Sequence, residues 1–390
     1  MGSPIAIVGM QDLTPINHSR AKIPETGGGV QDLTPKHVVV CGAGVMGAAV
    51  SYFLACRGVV VTVVERSGVA CAASGKSGGF LALDWCDGSE LGPLARASFA
   101  LHAELARQLG TDYGYRRMDT FMLAARERGA IAGGHRVAAP SWLDGAGVVT
   151  AALGSPETTA QVHPARFTAA LIDAAKARGS ALRIGVVEEI VQRDGAVRGV
   201  RVNGEIVEAD AVVLAMGPWT SRVARNLRIP TVRGLKGYSV TLAAPELPAH
   251  ALFVDYRTAD GRALEPEIFP RPDGEVYICG MADPAPLPDS PEAVEVNDAS
   301  CAILARAAGR VSTALATAQI LKRQACYRPV TDDGLPLIGR VPRVTGAYVA
   351  TGHGPWGMLN APATGLALAE LITQGVASTV DLRPFDPARL

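Results

Sequence analysis

The residues Gly42-Ala43-Gly44-Val45-Met46-Gly47 space three glycines as G-x-G-x-x-G. An apolar, β-branched run precedes them at 38–41, and a helix-forming run follows at 45–57. In that context the first glycine permits a tight turn. The second lets backbone approach a pyrophosphate, and the third lets helix and strand pack closely. The phosphates would sit at a helix N-terminus, where free N–H groups and the dipole favour anions. Glu65 ends the next apolar run, 21 residues past Gly44. Its carboxylate can accept from ribose hydroxyls, which suits FAD or NAD and disfavours a 2′-phosphate. The fingerprint alone does not separate FAD from NAD, and the bland alternative is a glycine-rich turn in some other α/β protein.

Four further stretches carry residue types that bind anions or line ligand sites. Ala73-Ser74-Gly75-Lys76-Ser77-Gly78-Gly79 is a run of small residues, hydroxyls and one cation, able to wrap an anion or to be an ordinary loop. The run at 211–215 leads into Met216-Gly217-Pro218-Trp219, and a glycine at a strand end permits close approach of a ligand. Arg328-Pro329-Val330-Thr331-Asp332-Asp333-Gly334 continues to Gly339. Val349-Ala350-Thr351-Gly352-His353-Gly354-Pro355-Trp356-Gly357-Met358 then opens the last helical run. Arg328 offers a planar fork that meets a carboxylate with two parallel hydrogen bonds. Its structural alternative is a pairing with Asp332 or Asp333. Tyr238, Tyr256 and His353 are further pocket candidates.

The elements that must position these groups follow from periodicity and turn chemistry. Residues 38–64 read as strand, helix and strand, a βαβ unit. Helices are expected over 91–109, 164–178, 293–306 and 361–374, each with apolar residues at helical spacing. Strands are expected at 116–125, 148–152, 183–187, 189–193, 197–202, 206–207, 211–215 and 347–351. Asp194-Gly195 and Asn203-Gly204 mark hairpin turns. Between 232 and 329 strand-like pieces alternate with Pro-rich connections, as in an antiparallel sheet. The fold expected is α/β. A Rossmann-like FAD-binding domain of the glutathione-reductase type is built from 37–95, 160–231 and 330–390. An inserted antiparallel-sheet α+β substrate domain is built from 96–159 and 232–329. Residues 1–36, where Gln-Asp-Leu-Thr-Pro occurs at 11–15 and again at 31–35, read as a flexible leader.

Composition bounds the function. The chain of 390 residues is 48% hydrophobic, enough for two cores. Lys+Arg and Asp+Glu are both 37, and a net charge of zero argues against a nucleic-acid partner. Seven cysteines without a CxxC argue against a disulfide framework or a metal site, and favour a reducing compartment, cytoplasmic or organellar. Residues 38–56 carry no charge, but their three glycines fit a buried strand–turn–helix better than a membrane span.

The five stretches together resemble the D-amino-acid oxidase, glycine oxidase and sarcosine oxidase family of flavoenzymes. Glu65-Arg66, the Ser74 to Gly79 loop, the strand ending in Ala215-Met216-Gly217-Pro218-Trp219, and the Arg328 to Gly339 and Thr351-Gly352-His353 segments are similar to family motifs in the same order. The resemblance implies FAD, held by Gly42, Gly44, Val45, Met46, Gly47, Glu65, Arg66, Ser74, Lys76, Ser77, Gly78, Gly79, Val187, Gly217, Trp219, Gly339, Gly352, Gly354, Gly357 and Met358, with backbone near Val187 at the adenine. It implies hydride transfer from a C–N bond of a small amino acid or secondary amine to flavin N5. The resulting imine would hydrolyse, and electrons would pass to oxygen or another acceptor. Arg328 would hold the substrate carboxylate, with Trp356, Tyr238 and His353 around it. Cys326 lies where sarcosine oxidases attach FAD covalently, the alternative being a buried free thiol. Two departures stand out. Glycine oxidases place a second arginine after T-G-H, where this chain has Gly354-Pro355-Trp356. The oxygen-activating lysine of sarcosine oxidases has no counterpart between residues 275 and 281, which favours a dehydrogenase. Competing readings are an NAD-dependent dehydrogenase and a flavin-binding protein without amine turnover. A flavin domain acting on modified tRNA is disfavoured by the neutral charge.

Overall fold

A computed structural model describes residues 34–131, 138–244 and 247–389. The leader expected over 1–36, with its internal repeat, lies outside the described residues except for its last three positions.

The strand His37–Cys41, the helix Val45–Cys56 and the strand Val60–Glu65 form the expected βαβ unit, all but one position of the helix being buried. The uncharged stretch 38–56 is thus strand, turn and core helix. No described helix is long and apolar enough to cross a membrane. The unit sits in a six-stranded sheet. Its order is Leu337–Arg340, Ala347–Thr351, Ala211–Leu214, His37–Cys41, Val60–Glu65 and Ala181–Ile184. All neighbours are parallel except the edge pair Leu337–Arg340 and Ala347–Thr351. Strands from three distant parts of the chain therefore complete one sheet.

A three-stranded antiparallel sheet, Val187–Arg193, Ala196–Val202 and Glu205–Glu208, packs near it. Its two turns, Asp194-Gly195 and Asn203-Gly204, have positive φ at both central residues, as a type I′ hairpin requires.

The second large sheet runs Ile320–Val330, Arg233–Ala243, Glu275–Asp283, Glu267–Pro270, His250–Arg257, Asp119–Arg126 and Val148–Gly154, with Ala263–Leu264 beside His250–Arg257. It is antiparallel except that His250–Arg257 pairs parallel with Asp119–Arg126, two strands delivered by separate chain segments. The helix Asp298–Val311 covers one face.

Several features differ from expectation; the final helix opens at Gly357 rather than 361, and the strand expected at 116–125 divides into Arg116–Arg117 and Asp119–Arg126. The helix expected at 293–306 begins at Asp298, because Asn297 caps it by accepting from Ser300 N–H at 3.0 Å. The strand expected at 183–187 ends at Ile184, and Val187 opens the next strand. The backbone breaks there because Gly185 N–H turns to Glu65 O and Val186 N–H to Asn203 Oδ1. The helix Gly92–Gln108 was placed mostly with the substrate part, from residue 96 on. It instead packs on the final helix Gly357–Gln374 through Ser98, His102 and their apolar neighbours.

Candidate active site

The glycine turn is fixed by backbone that has no room for side chains. Gly42 has φ +107°, and a Cβ there would lie 2.6 Å from Ala215 O. A Cβ on Gly47 would lie 1.9 Å from Gly42 O. Gly47 therefore serves helix–strand contact and does not itself line the cavity, whereas Gly42, Gly44, Val45 and Met46 do. The first-turn N–H of Val45 donates to Ser74 Oγ at 2.9 Å. The second loop thus docks on the fingerprint through one of its own hydroxyls. Glu65 is buried and its carboxylate braces the same turn, accepting from Ala43 N–H at 2.8 Å and Ser67 N–H at 3.0 Å. Each oxygen keeps a further lone pair, and the residue lines the cavity with Arg66.

The cavity measures about 620 Å³, the size of a site for a sizeable organic ligand. It joins nearly all the sequence candidates. Ser74, Lys76, Ser77, Gly78, Gly79, Val187, Gly217, Trp219, Cys326, Gly354, Gly357 and Met358 line it together with Arg328, Tyr238, His353 and Trp356. Besides Gly47, three candidates fall outside it. Gly339 packs against Pro387, Gly352 against Thr331, and Tyr256 lies fully buried in the core of the second sheet. Their motifs run past the site because strand and turn geometry repeats beyond the residues that face it.

The second loop is gripped by the substrate sheet. Tyr277 Oη donates to Lys76 O at 2.8 Å, and Arg271 donates to Ser77 O at 3.1 Å. Lys76 Nζ donates to Ala325 O at 3.3 Å. Ser77 Oγ is buried with no partner among the described residues, as is His353 Nδ1. Both residues line the cavity, so two buried polar atoms await a ligand's hydrogen bonds. On the far side, Trp219 Nε1–H donates to Pro288 O at 2.9 Å and Arg222 pairs with Asp289 at 2.6 Å, tying the segment after Glu275–Asp283 to the nucleotide side.

The final helix presents Gly357 and Met358 to the cavity. Pro362 lies in its second turn and has no N–H for Met358 O. The helix Gly92–Gln108 supplies the repair. His102 Nε2 lies 3.0 Å from Met358 O and 3.1 Å from Leu359 O, and Ser98 Oγ accepts from Ala363 N–H at 3.0 Å. Bonding two carbonyls requires the Nε2–H tautomer. Burial pushes the His102 pKa down to about 4, so the ring stays neutral.

At the other end stands Arg328. The acids that could have neutralised it are taken: Asp332 pairs with Arg233 and Asp333 with Arg389. Arg328 makes no hydrogen bond or ion pair among the described residues. Its guanidinium lies over Gly237 of the neighbouring strand, 3.8 Å from where a Cβ would stand. Tyr238 Oη donates to Asp283 at 2.5 Å, and burial with that carboxylate pushes its pKa up to about 12. His353 is buried, bonds Thr364 Oγ1 at 3.0 Å, and has a pKa pushed down to about 3 by burial. Burial thus moves both away from neutrality, and both line the cavity.

Sequence reasoning missed the walls. Phe80, Trp85, Phe253 and Phe269 form one aromatic cluster with centroids 4.9–5.9 Å apart, and Trp356 meets Trp85 edge-on at 6.4 Å. Glu267 also lines the cavity beside Cys279, whose thiol lies 3.4 Å from Oε2. One available signal was Gly237, a glycine inside a strand, which marks close approach.

A family model described as FAD dependent oxidoreductase matches residues 37–371. A Schizosaccharomyces pombe protein named as an oxidoreductase is 31% identical, with 90% of this chain and 98% of the relative covered. The glycine oxidase of Geobacillus kaustophilus is 28% identical over 90% of this chain and 96% of its own. The crystal structure of glycine oxidase from that organism matches with a TM-score of 0.75 at 25% identity, covering 91% of this chain and 99% of that one. Iminodiacetate oxidase from Chelativorans sp. BNC1 shares the fold, with a TM-score of 0.72 at 21% identity over 90% and 98% of the two chains.

Proposed function

Because the chain belongs to the family of FAD dependent oxidoreductases, we propose that it oxidises the C–N bond of a small amino acid or secondary amine whose carboxylate is held by Arg328. The observation that carries this reading is a guanidinium without a side-chain partner among the described residues, lining the same cavity as the dinucleotide turn. A half-buried cation left unpaired in a cavity is unfavourable compared with one answered by a ligand's carboxylate.

The residues present fit FAD. The glycine turn gives backbone access for a pyrophosphate, Glu65 keeps lone pairs for ribose hydroxyls, and Ser77 Oγ and His353 Nδ1 are buried and unbonded. When bound, FAD supplies a two-electron acceptor for the hydride leaving the carbon beside nitrogen.

The chain's own residues do the rest. Arg328 fixes the carboxylate by a bidentate contact and so orients the C–H bond. The cluster of Phe80, Trp85, Phe253, Phe269 and Trp356 keeps water from the reacting centre. The repaired N-terminus of the final helix presents its dipole to the cavity, where it favours negative charge. The imine released then reacts with water. The strand Glu275–Asp283 bears no lysine, which supports an electron acceptor other than oxygen.

The test is a visible spectrum of the purified protein before and after an anaerobic panel of amines. Flavin bands bleached by one amine support the reading and name the substrate class. A colourless protein that cannot be reconstituted with FAD overturns it. Bands that no amine bleaches point to a flavin protein without amine turnover.

A further inference from the structure

Three carboxylates line the cavity among the described residues: Glu65, Asp289 and Glu267. The first braces the glycine turn and the second pairs with Arg222. Glu267 has only the thiol of Cys279, a weak donor. An ionised carboxylate accepts about four hydrogen bonds, so most of its capacity faces the cavity unanswered. Arg328 is the matching unanswered cation. The two form no ion pair within 4 Å, yet Arg328 acts electrostatically on Glu267. Their strands are separated by the strands Glu275–Asp283 and Arg233–Ala243, about 14 Å between backbones at ordinary strand spacing. The Arg328 side chain reaches inward over Gly237, on the intervening strand. Two opposite charges on strands of one sheet thus line one cavity without pairing, an arrangement that suits a molecule carrying both.

We propose that Glu267 recognises the substrate's nitrogen, accepting a hydrogen bond from its ammonium and then its proton, so that the cavity selects zwitterions over plain carboxylates and disfavours a second carboxylate. This rests on the Arg328 reading above and deepens it. In the proton step the N–H bond breaks and an O–H bond forms on Glu267. The nitrogen keeps the electron pair and becomes the neutral amine that a hydride loss requires. Phe269 shares Glu267's face two residues along the strand, and Phe253 is its cross-strand partner. Both rings line the cavity beside the carboxylate. Burial raises the carboxyl's pKa, opposed by the Cys279 contact and Arg328 and reinforced by Glu265, which makes Glu267 a readier proton acceptor. Of the groups packed against it, Tyr277 and Cys279 are held well above their ordinary values by burial, and the facing Phe253 is uncharged.

The experiment is a calorimetric titration of the FAD-loaded protein with two probes. One is α-methylphenylalanine, a zwitterion without a Cα hydrogen and hence not oxidised. The other is 2-methyl-3-phenylpropanoate, the same skeleton without nitrogen. The zwitterion should bind at least about tenfold more tightly. Glu267→Gln should erase that preference while binding the plain carboxylate as tightly or more so. An unchanged preference in the variant, or none in the wild type, overturns the proposal. Carboxylate binding that survives Arg328→Met overturns the parent reading instead, so the two failures are distinct. Should Glu267→Gln not fold, the wild type alone decides. Its preference should grow as pH rises through Glu267's ionisation, and a preference that stays flat over the whole pH range in which the protein remains folded refutes the assignment.

Discussion

Replacing His102 with leucine should expose how the final helix is held. At about pH 7.5 the substitution leaves the carbonyls of Met358 and Leu359 without the ring N–H that now serves them. Two buried acceptors then lose their donor, a destabilisation of about 1–3 kcal/mol. The sign of the pH effect follows from the depressed pKa. In the unfolded chain His102 titrates near 6.5, and in the folded protein near 4. Its contribution is fully present above about pH 6.5 and is lost as pH falls towards 4, because the unfolded state binds the proton first. At about pH 5 the wild type should have lost about 2 kcal/mol through this residue. The leucine variant has no such proton to bind. The gap between the two proteins should therefore shrink by about 2 kcal/mol between about pH 7.5 and about pH 5, closing or reversing. Denaturant titrations with a common m-value at each pH measure it. A gap that is the same at both values would refute the neutral, doubly bonded ring.

Three further outcomes are expected. Gly47→Ala drives a Cβ into Gly42 O and should lower the yield of folded protein, whereas Gly44→Ala, facing only Ser74 Oγ at 3.1 Å, should fold but lose flavin because its Cβ occupies the pyrophosphate's approach; soluble yield and the ratio of flavin to protein absorbance read the two. Arg328→Lys keeps the charge but loses the fork, and should raise KM by about tenfold or more on whichever amine bleaches the flavin while kcat changes less. Burial raises the Cys326 thiol above its ordinary range, against the pull of Lys76 and Arg328, so little nucleophilic thiolate forms and acid precipitation should leave the yellow colour in solution; colour in the pellet that Cys326→Ala abolishes would establish a covalent link.

The nucleotide half was legible because its determinants are local. A glycine that must have positive φ, a helix that must start beside it and an acid closing the next strand all fall within 30 residues. Backbone sterics demand particular residue types there, and the demand leaves a pattern. The twin I′ turns at Asp194-Gly195 and Asn203-Gly204 were legible for the same reason. The helix Gly92–Gln108 was misassigned because periodicity reveals an apolar face but not what covers it. Its partner is more than 250 residues away, and the need for that partner is set by Pro362.

The substrate end was nearly opaque, and the reason is physical. A cavity wall asks only that side chains be large and face inward, a demand met by residues on any strand of the sheet. Phe253 and Phe269 meet on neighbouring strands of the second sheet, and Phe80 joins them from a separate three-stranded sheet, a meeting no local pattern announces. Glu267, read along the chain, is one acid among many in a strand of four residues. What singles it out is that the other acids of the cavity are already answered while it is not, and that can be seen only once every partner has been placed. The same logic explains why Arg328 could be assigned in advance only as an alternative. Asp332 and Asp333 stand beside it in sequence, and only the fold shows them occupied by Arg233 and Arg389. Charge pairing in a folded chain is decided by exclusion among distant groups, so the groups left unpaired in a cavity carry more functional information than any motif that contains them.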